Sequence, residues 1–201
     1  SRGNGLAPLE PGETDTVIIA GMGGDLICKI LKAKPEFLIE GKEFILQPQS
    51  EWFKIRRLLK EYHYQIEKEW FLKEDGKYYV IIKAEPAWTQ PQRLKHQEPS
   101  IHEYIKEISE IPVNQAVSEK DMESIYEQYG KYLIETKNPV LKEYLEKEIT
   151  KKESIAAELK QSIKEIESEE LSGKERGNIA KRQRRYQEIQ KEIRDMRKAI
   201  G

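Results

Sequence analysis

The stretch Asp15-Thr16-Val17-Ile18-Ile19-Ala20-Gly21-Met22-Gly23-Gly24-Asp25-Leu26-Ile27 decides the fold. Thr16 to Ile19 is a short β-branched run that is apolar throughout rather than alternating, which predicts a buried parallel strand. It runs through a small-residue turn into a helix whose apolar positions are Leu26, Ile27, Ile30 and Leu31. Strand, glycine turn and helix is the layout of an α/β sheet that binds ligands beyond the carboxyl ends of its strands. The glycines and Ala20 let a ligand approach the backbone and leave amide N–H groups exposed at a helix start. From these residues alone, a tight βα turn without a ligand reads equally well.

Downstream, Glu43-Phe44-Ile45-Leu46-Gln47-Pro48 is the next strand, with Pro48 stopping the ladder. Gln47 and Gln49 project near the same edge, suited either to reading a base edge or to capping the following helix. Ser50 is the candidate N-cap of that helix, and Phe53, Ile55, Leu58 and Leu59 form its buried face. Arg56 and Arg57 read as a solvated face. Tyr64 to Leu72 and Tyr78 to Ala84 flank Glu74-Asp75-Gly76-Lys77, a hairpin signal. Tyr78 and Tyr79 fall on opposite faces of that hairpin.

Upstream, Gly3-Asn4-Gly5-Leu6 suits a turn against a planar ring, with an ordinary Asn-Gly turn as the plain alternative. The ordered set of Gly3 to Leu6, Ala20 to Gly24, Phe44 to Gln49, the arginine-bearing helix and the hairpin resembles one bacterial family. These are the tRNA (adenine-22) methyltransferases, which use S-adenosylmethionine to methylate ring nitrogen 1 of a tRNA adenine. The resemblance extends from Gly3 to Ala84. It implies cofactor contacts at Gly3, Asn4, Gly5, Leu6, Ala20, Gly21 and Met22. It also implies a catalytic position for Ala20, Gly21, Met22, Gly23 and Gly24, where related amino-methyltransferases hold the target nitrogen. No aromatic residue follows the glycines, so Met22 is the candidate apolar contact. Gln47, Pro48 and Gln49 are the implied substrate contacts near the target. Asn4 stands where the family usually has aspartate; it keeps an acceptor oxygen and adds an NH2 donor. Asp25 reads as a helix-start carboxylate or a contact to the target. The family's pattern also places a glycine-rich cofactor turn and an acidic residue before the equivalent of Ser1. The expectation is therefore the C-terminal portion of a methyltransferase, lacking its N-terminal cofactor-binding half and inactive alone.

The resulting fold expectation is α/β: a partial Rossmann-like methyltransferase sheet with a terminal antiparallel hairpin, then an all-α, coiled-coil-like C-terminal domain. Residues 1–86 form the sheet domain, 87–100 a linker carrying Pro91 and Pro99, and 101–201 the helical domain. Helices are expected at Ile101 to Glu110, at Ser118 to Glu135, and from Asn138-Pro139 to Ser172-Gly173. The long helix carries Leu141, Leu145, Ile149, Ala156, Leu159 and Ile163. A return helix carries Ile179, Arg182, Tyr186, Ile189, Ile193, Met196 and Ile200 at alternating three- and four-residue steps, a heptad seam for an antiparallel hairpin. Lys181, Arg182, Arg184 and Arg185 on the return helix are candidate tRNA contacts by phosphate, which position without reading sequence. Pairing with the glutamates of the outgoing arm is the competing reading.

The chain is 37% hydrophobic and 35% charged with a net charge of −1, so any attraction to RNA has to be local. Lone Cys28 lies on an apolar helix face and reads as core. His96 and His102 have no neighbours at metal-ligand spacing, so no metal is expected. No apolar run approaches membrane-spanning length, and the expected location is cytoplasmic. The expected state is a monomer or a weak homodimer through the helical hairpin. A non-catalytic RNA-binding or adaptor module, and a structural protein dimerising through the hairpin, are the alternatives to the enzyme.

Overall fold

The computed structural model describes residues 5–10, 12–87, 113–167 and 173–201, without the side chains of 113–120, 166–167 and 173–177. The helix expected at Ile101 to Glu110 and all of the expected linker except Ala87 lie outside these residues. The first elements are β1 (Thr16–Met22), α1 (Gly24–Lys32), α2 (Pro35–Ile39), β2 (Glu43–Pro48), α3 (Trp52–Glu61), β3 (Tyr64–Glu74) and β4 (Lys77–Pro86). Among the described residues four helices follow: α4 (Val113–Tyr129), α5 (Lys131–Glu135), α6 (Pro139–Glu167) and α7 (Gly173–Ile200).

Among the described residues the strands form one mixed, four-stranded sheet in the order β1-β2-β4-β3. β1 and β2 are parallel, with Ala20 level with Gln47, and β4 lies antiparallel to both β2 and β3. The hairpin turn places Asp75 and Gly76 at φ 46° and 76°, the paired left-handed residues of a type I′ turn. Val17, Ile19, Phe44, Leu46, Val80, Ile82 and Ala84 alternate onto one buried face, which with Ile27 and Leu31 of α1 and Ile55, Leu58 and Leu59 of α3 makes the core. The sequence predicts burial of β1 on both faces; instead it alternates, and Ile18 is 68% exposed. Ile18 shares its face with Ile45, Gln47 and Ile81, and among the described residues the core lies wholly on the opposite face.

Two local expectations change. The residue preceding α3 is Glu51 rather than Ser50; it sits in the left-handed region at φ 54°, and no side chain caps the helix. Arg56 is not on a solvated face. It is 5% exposed, and its Nε donates to Glu69 Oε1 at 2.8 Å while Nη1 donates to the carbonyls of Glu127 and Gln128 at 3.1 and 3.0 Å. The last carbonyls of α4, left over by the helix ladder, thus receive an arginine. Gly130 breaks the helix expected from Ser118 to Glu135 into α4 and α5. Its φ is 92°, and a Cβ there would collide with Glu69 Oε2 and lie 2.8 Å from Arg56 Nη2.

The chain divides into two compact units, 1–136 and 137–201. α4 and α5 belong to the first, through Arg56, the Arg57–Glu127 and Lys60–Glu123 pairs, and buried Ile125 and Leu133. That boundary falls later in the chain than the 87–100 linker read from sequence. In the second unit, Asn138 Oδ1 caps α6 by accepting from Val140 and Leu141 N–H, both at 3.0 Å. Leu141, Leu145, Ile149 and Ala156 of α6 are buried, as are Ile179, Ile189, Ile193 and Met196 of α7, on the stripes the sequence shows.

Candidate functional site

The carboxyl ends of β1 and β2 lie side by side, and the turns that leave them are stitched together. Gly21 N–H donates to Gln47 Oε1 at 2.8 Å, and Gln49 N–H donates to the Met22 carbonyl at 2.8 Å. Gly24 N–H donates to the Ser50 carbonyl at 2.9 Å, and Asp25 N–H reaches Glu51 Oε2 at 3.2 Å. The glycines answer different demands. Gly21 takes φ 79° with open space where a side chain would project, so a ligand could approach the backbone there. Gly24 has no such space, because a Cβ would meet the Glu51 carbonyl oxygen at 2.6 Å. Its glycine is required by the neighbouring turn.

Ala20 is exposed and Met22 is 36% exposed at this edge. Gln47 has its carbonyl oxygen held by Gly21 N–H, which fixes the amide's orientation, since only oxygen accepts from that donor. Its Nε2 is buried with no hydrogen-bond partner among the described residues, so none of them offsets that donor's desolvation. Pro48 is buried, and Gln49 and Ser50 are exposed. Asp25 caps nothing by its side chain. Its carboxylate joins Lys29 at 2.7 Å and Lys54 at 2.9 Å, and these ammonium groups hold its pKa down to about 2.

Gly3 and Asn4 lie outside the described residues. Gly5 backs onto α1, where a Cβ would lie 2.9 Å from Ile30 Cγ2, and Leu6 is 6% exposed. Gly5, Leu6, Val17, Ile19, Met22 and Ile30 line a cavity of about 430 Å³ along β1. The structure therefore brings Ala20 to Gly24 together with Gln47 to Gln49, with Gly5 and Leu6 along the flank of the same strand. Lys181, Arg182, Arg184 and Arg185 belong to α7 in the other unit. There Arg184 pairs with Glu188, and Arg185 with Glu188 and Glu192, whereas Lys181 and Arg182 make no ion pair among the described residues.

Sequence reasoning missed the Ser50–Glu51 turn as the partner of the glycines, and no signal marks it, since glutamate rarely adopts positive φ. It also missed a carboxylate cluster on the half-exposed sheet face, Glu43, Glu67 and Glu85, whose oxygens lie within 4.8 Å of one another. Lys83 Nζ occupies its centre, at 2.6 Å from Glu67, 2.9 Å from Glu43 and 3.2 Å from Glu85. Those bonds push the Lys83 pKa up, so the cluster already holds a permanent cation. No described helix is long and apolar enough to cross a membrane.

Comparison with known proteins bears on the family and the fold. The sequence profile of TrmK, tRNA (adenine(22)-N(1))-methyltransferase, matches residues 1–123. The Bacillus subtilis (strain 168) tRNA (adenine(22)-N(1))-methyltransferase is 42% identical over 84 residues, which is 42% of this chain and 35% of that protein. Among the solved structures that share the fold are the following two. The B. subtilis M1A22 tRNA methyltransferase TrmK has a TM-score of 0.61 at 24% identity, over 99% of this chain and 68% of that one. Streptococcus pneumoniae Sp1610, crystallised with S-adenosyl-L-methionine, has a TM-score of 0.56 at 22% identity, over 99% and 66%. By sequence the match thus spans 35% of the curated relative's length.

Proposed function

This chain belongs to the TrmK family of tRNA (adenine(22)-N(1))-methyltransferases, and from that premise we propose that it serves S-adenosylmethionine-dependent methylation of ring nitrogen 1 of an adenine in tRNA. The observation that carries this reading is the stitched edge: Gly21 at positive φ facing open space, bonded to Gln47, whose amide keeps a donor unused among the described residues. Bound S-adenosylmethionine would supply an electrophilic methyl group. Gly5, Leu6, Ala20, Gly21 and Met22, with Gly3 and Asn4 before them, are the residues proposed to hold it.

Ring nitrogen 1 of adenine attacks through its own lone pair, so no residue has to remove a proton before transfer. The protein's part is alignment and exclusion of water. Met22 offers an apolar contact beside the turn, and Gln47 Nε2 offers a donor to a ring nitrogen other than the one that reacts. Gly23 and Gly24 set the turn's path by lying against Ser50 and Glu51. The adenine has to leave its stack to reach this edge. Lys181 and Arg182 of α7, with Arg184 and Arg185, are proposed to track the tRNA backbone.

The test is transfer of labelled methyl from S-adenosylmethionine to two tRNA transcripts, one with adenine and one with guanine at position 22. Label found only in the adenine transcript, as 1-methyladenine, supports the reading. tRNA bound with no methyl transferred fits both a methyltransferase chain inactive alone and the alternative of a non-catalytic RNA-binding or adaptor role, for which Lys181 and Arg182, without an ion pair among the described residues, argue. S-adenosylmethionine binding to the chain then favours the first, and its absence the second. No binding and no transfer overturns both.

A further inference from the structure

The β3–β4 hairpin reaches past the sheet's carboxyl edge. β2 pairs with β4 only from Phe44–Ala84 to Leu46–Ile82, whereas β3 and β4 stay paired out to Glu74 and Lys77. By that register Pro48, the last residue of β2, is level with Val80, so Lys77 to Tyr79 and their partners Leu72 to Glu74 project beyond it. The projection is braced. The Trp52 ring meets Phe71 edge-on at 5.3 Å and 85°, and Phe71 lies 5.8 Å from Tyr78. Trp52 begins α3 directly after Glu51, the residue against which Gly24 packs, so one short chain of contacts fixes the hairpin relative to the glycine turn.

Tyr79 and Leu72 face each other across this projecting ladder. Alternation puts Tyr79 on the sheet face that carries Gln47 and Ala20, opposite the core. Tyr79 is half-exposed, and Leu72 is 45% exposed. An aromatic ring beside an exposed leucine at the ligand edge presents a flat apolar surface that a planar partner can cover. Around it Lys73 and Lys77 are balanced by Glu74 and Asp75, so this surface does not attract phosphate by net charge.

We propose that the Leu72–Tyr79 pair is a stacking platform for an unpaired base of the RNA substrate next to the target adenine. The proposal rests on the tRNA-methylation reading above. Transfer to ring nitrogen 1 needs the adenine's pairing edge free, so the target base leaves its stack and a flanking base loses a neighbour. An aromatic side chain replaces that neighbour at little cost in sequence specificity, because every base has a π-face.

Binding of fluorescently labelled tRNA to the 201-residue chain tests this with Tyr79→Ala and Tyr79→Phe across a salt titration. Tyr79→Ala should weaken binding about ten-fold, as loss of one stacked base does. Tyr79→Phe keeps the ring and should bind within about two-fold of the unaltered chain, and neither change should alter the salt slope. Tyr79→Ala binding as tightly as the unaltered chain overturns the platform and leaves the tRNA reading standing. So does a Tyr79→Phe loss equal to the alanine loss, or an effect confined to self-association in light scattering, which would mark a protein contact. An unaltered chain that binds no tRNA overturns the tRNA reading and the platform with it.

Discussion

Gly24 lies so close to Glu51 that a Cβ on it would stand 2.6 Å from the Glu51 carbonyl oxygen and 2.8 Å from that of Ser50. Neither oxygen belongs to a flexible side chain, so Gly24→Ala has to push two backbone turns apart. Its expected cost is about 1–3 kcal/mol, read as a lower midpoint in urea. Gly23→Ala meets only the Ser50 hydroxyl at 3.2 Å, which can rotate, and φ at Gly23 is an ordinary −65°. It should cost less than about 1 kcal/mol. Equal losses would show that the stitched turns do not set the demand for glycine.

Arg56→Ala strands Glu69 in the core and removes both bonds to the last carbonyls of α4. Breaking one side of a buried pair costs about 3–5 kcal/mol. Arg56→Lys should not rescue it, because the guanidinium uses Nε and Nη1 in different directions at once. Chemical denaturation gives the magnitude. Amide exchange should show α4 losing protection first; unchanged protection there would mean Arg56 is not what docks the helix.

How much of this was legible beforehand depends on how local the cause is. The strand at Glu43 to Pro48, the Asp75-Gly76 hairpin and the Asn138-Pro139 start follow from neighbouring residues, and each forms as the sequence predicts. The apolar stripes of α6 and α7 were readable for the same reason. Arg56 was not, since its burial depends on Glu69 and on α4, whose carbonyls are remote in sequence. Of the candidate site, the nearness of Gly21 and Gln47 follows from strand order, but the direction of the Gln47 amide is set by a single bond that no pattern encodes. Ile18 misled for a physical reason: an unbroken apolar run predicts two buried faces, whereas its own face is open among the described residues.

Asp25 gives a pH dependence with a definite sign. Lys29 and Lys54 hold its pKa at about 2, against an ordinary 3.8. A depressed carboxyl contributes stability that is present above the unfolded value and lost as pH falls through the folded one. The contribution should therefore be complete above about pH 4 and fade toward pH 2. The carboxyl is partly exposed, so the effect is small and screened by salt. Asp25→Asn should flatten that part of the stability–pH curve at low ionic strength. A curve unchanged by the substitution would mean the two ammonium groups do not favour the ionised carboxyl in solution.

The basic quartet on α7 should not act as a unit. Arg184 and Arg185 are engaged with Glu188 and Glu192, so their charge is partly cancelled before any RNA arrives, whereas Lys181 and Arg182 make no ion pair among the described residues. Counterion release counts only phosphates neutralised by free cations. Lys181→Ala/Arg182→Ala should therefore weaken tRNA binding about ten-fold and lower the salt slope by about two, one per lost phosphate contact. Arg184→Ala/Arg185→Ala should stay within about three-fold with the slope nearly intact. Binding isotherms of the two double variants between low and moderate salt separate these outcomes. If the second pair falls as far as the first, the glutamates release their arginines to the RNA, and the ion pairs of α7 are a resting arrangement rather than a competing one.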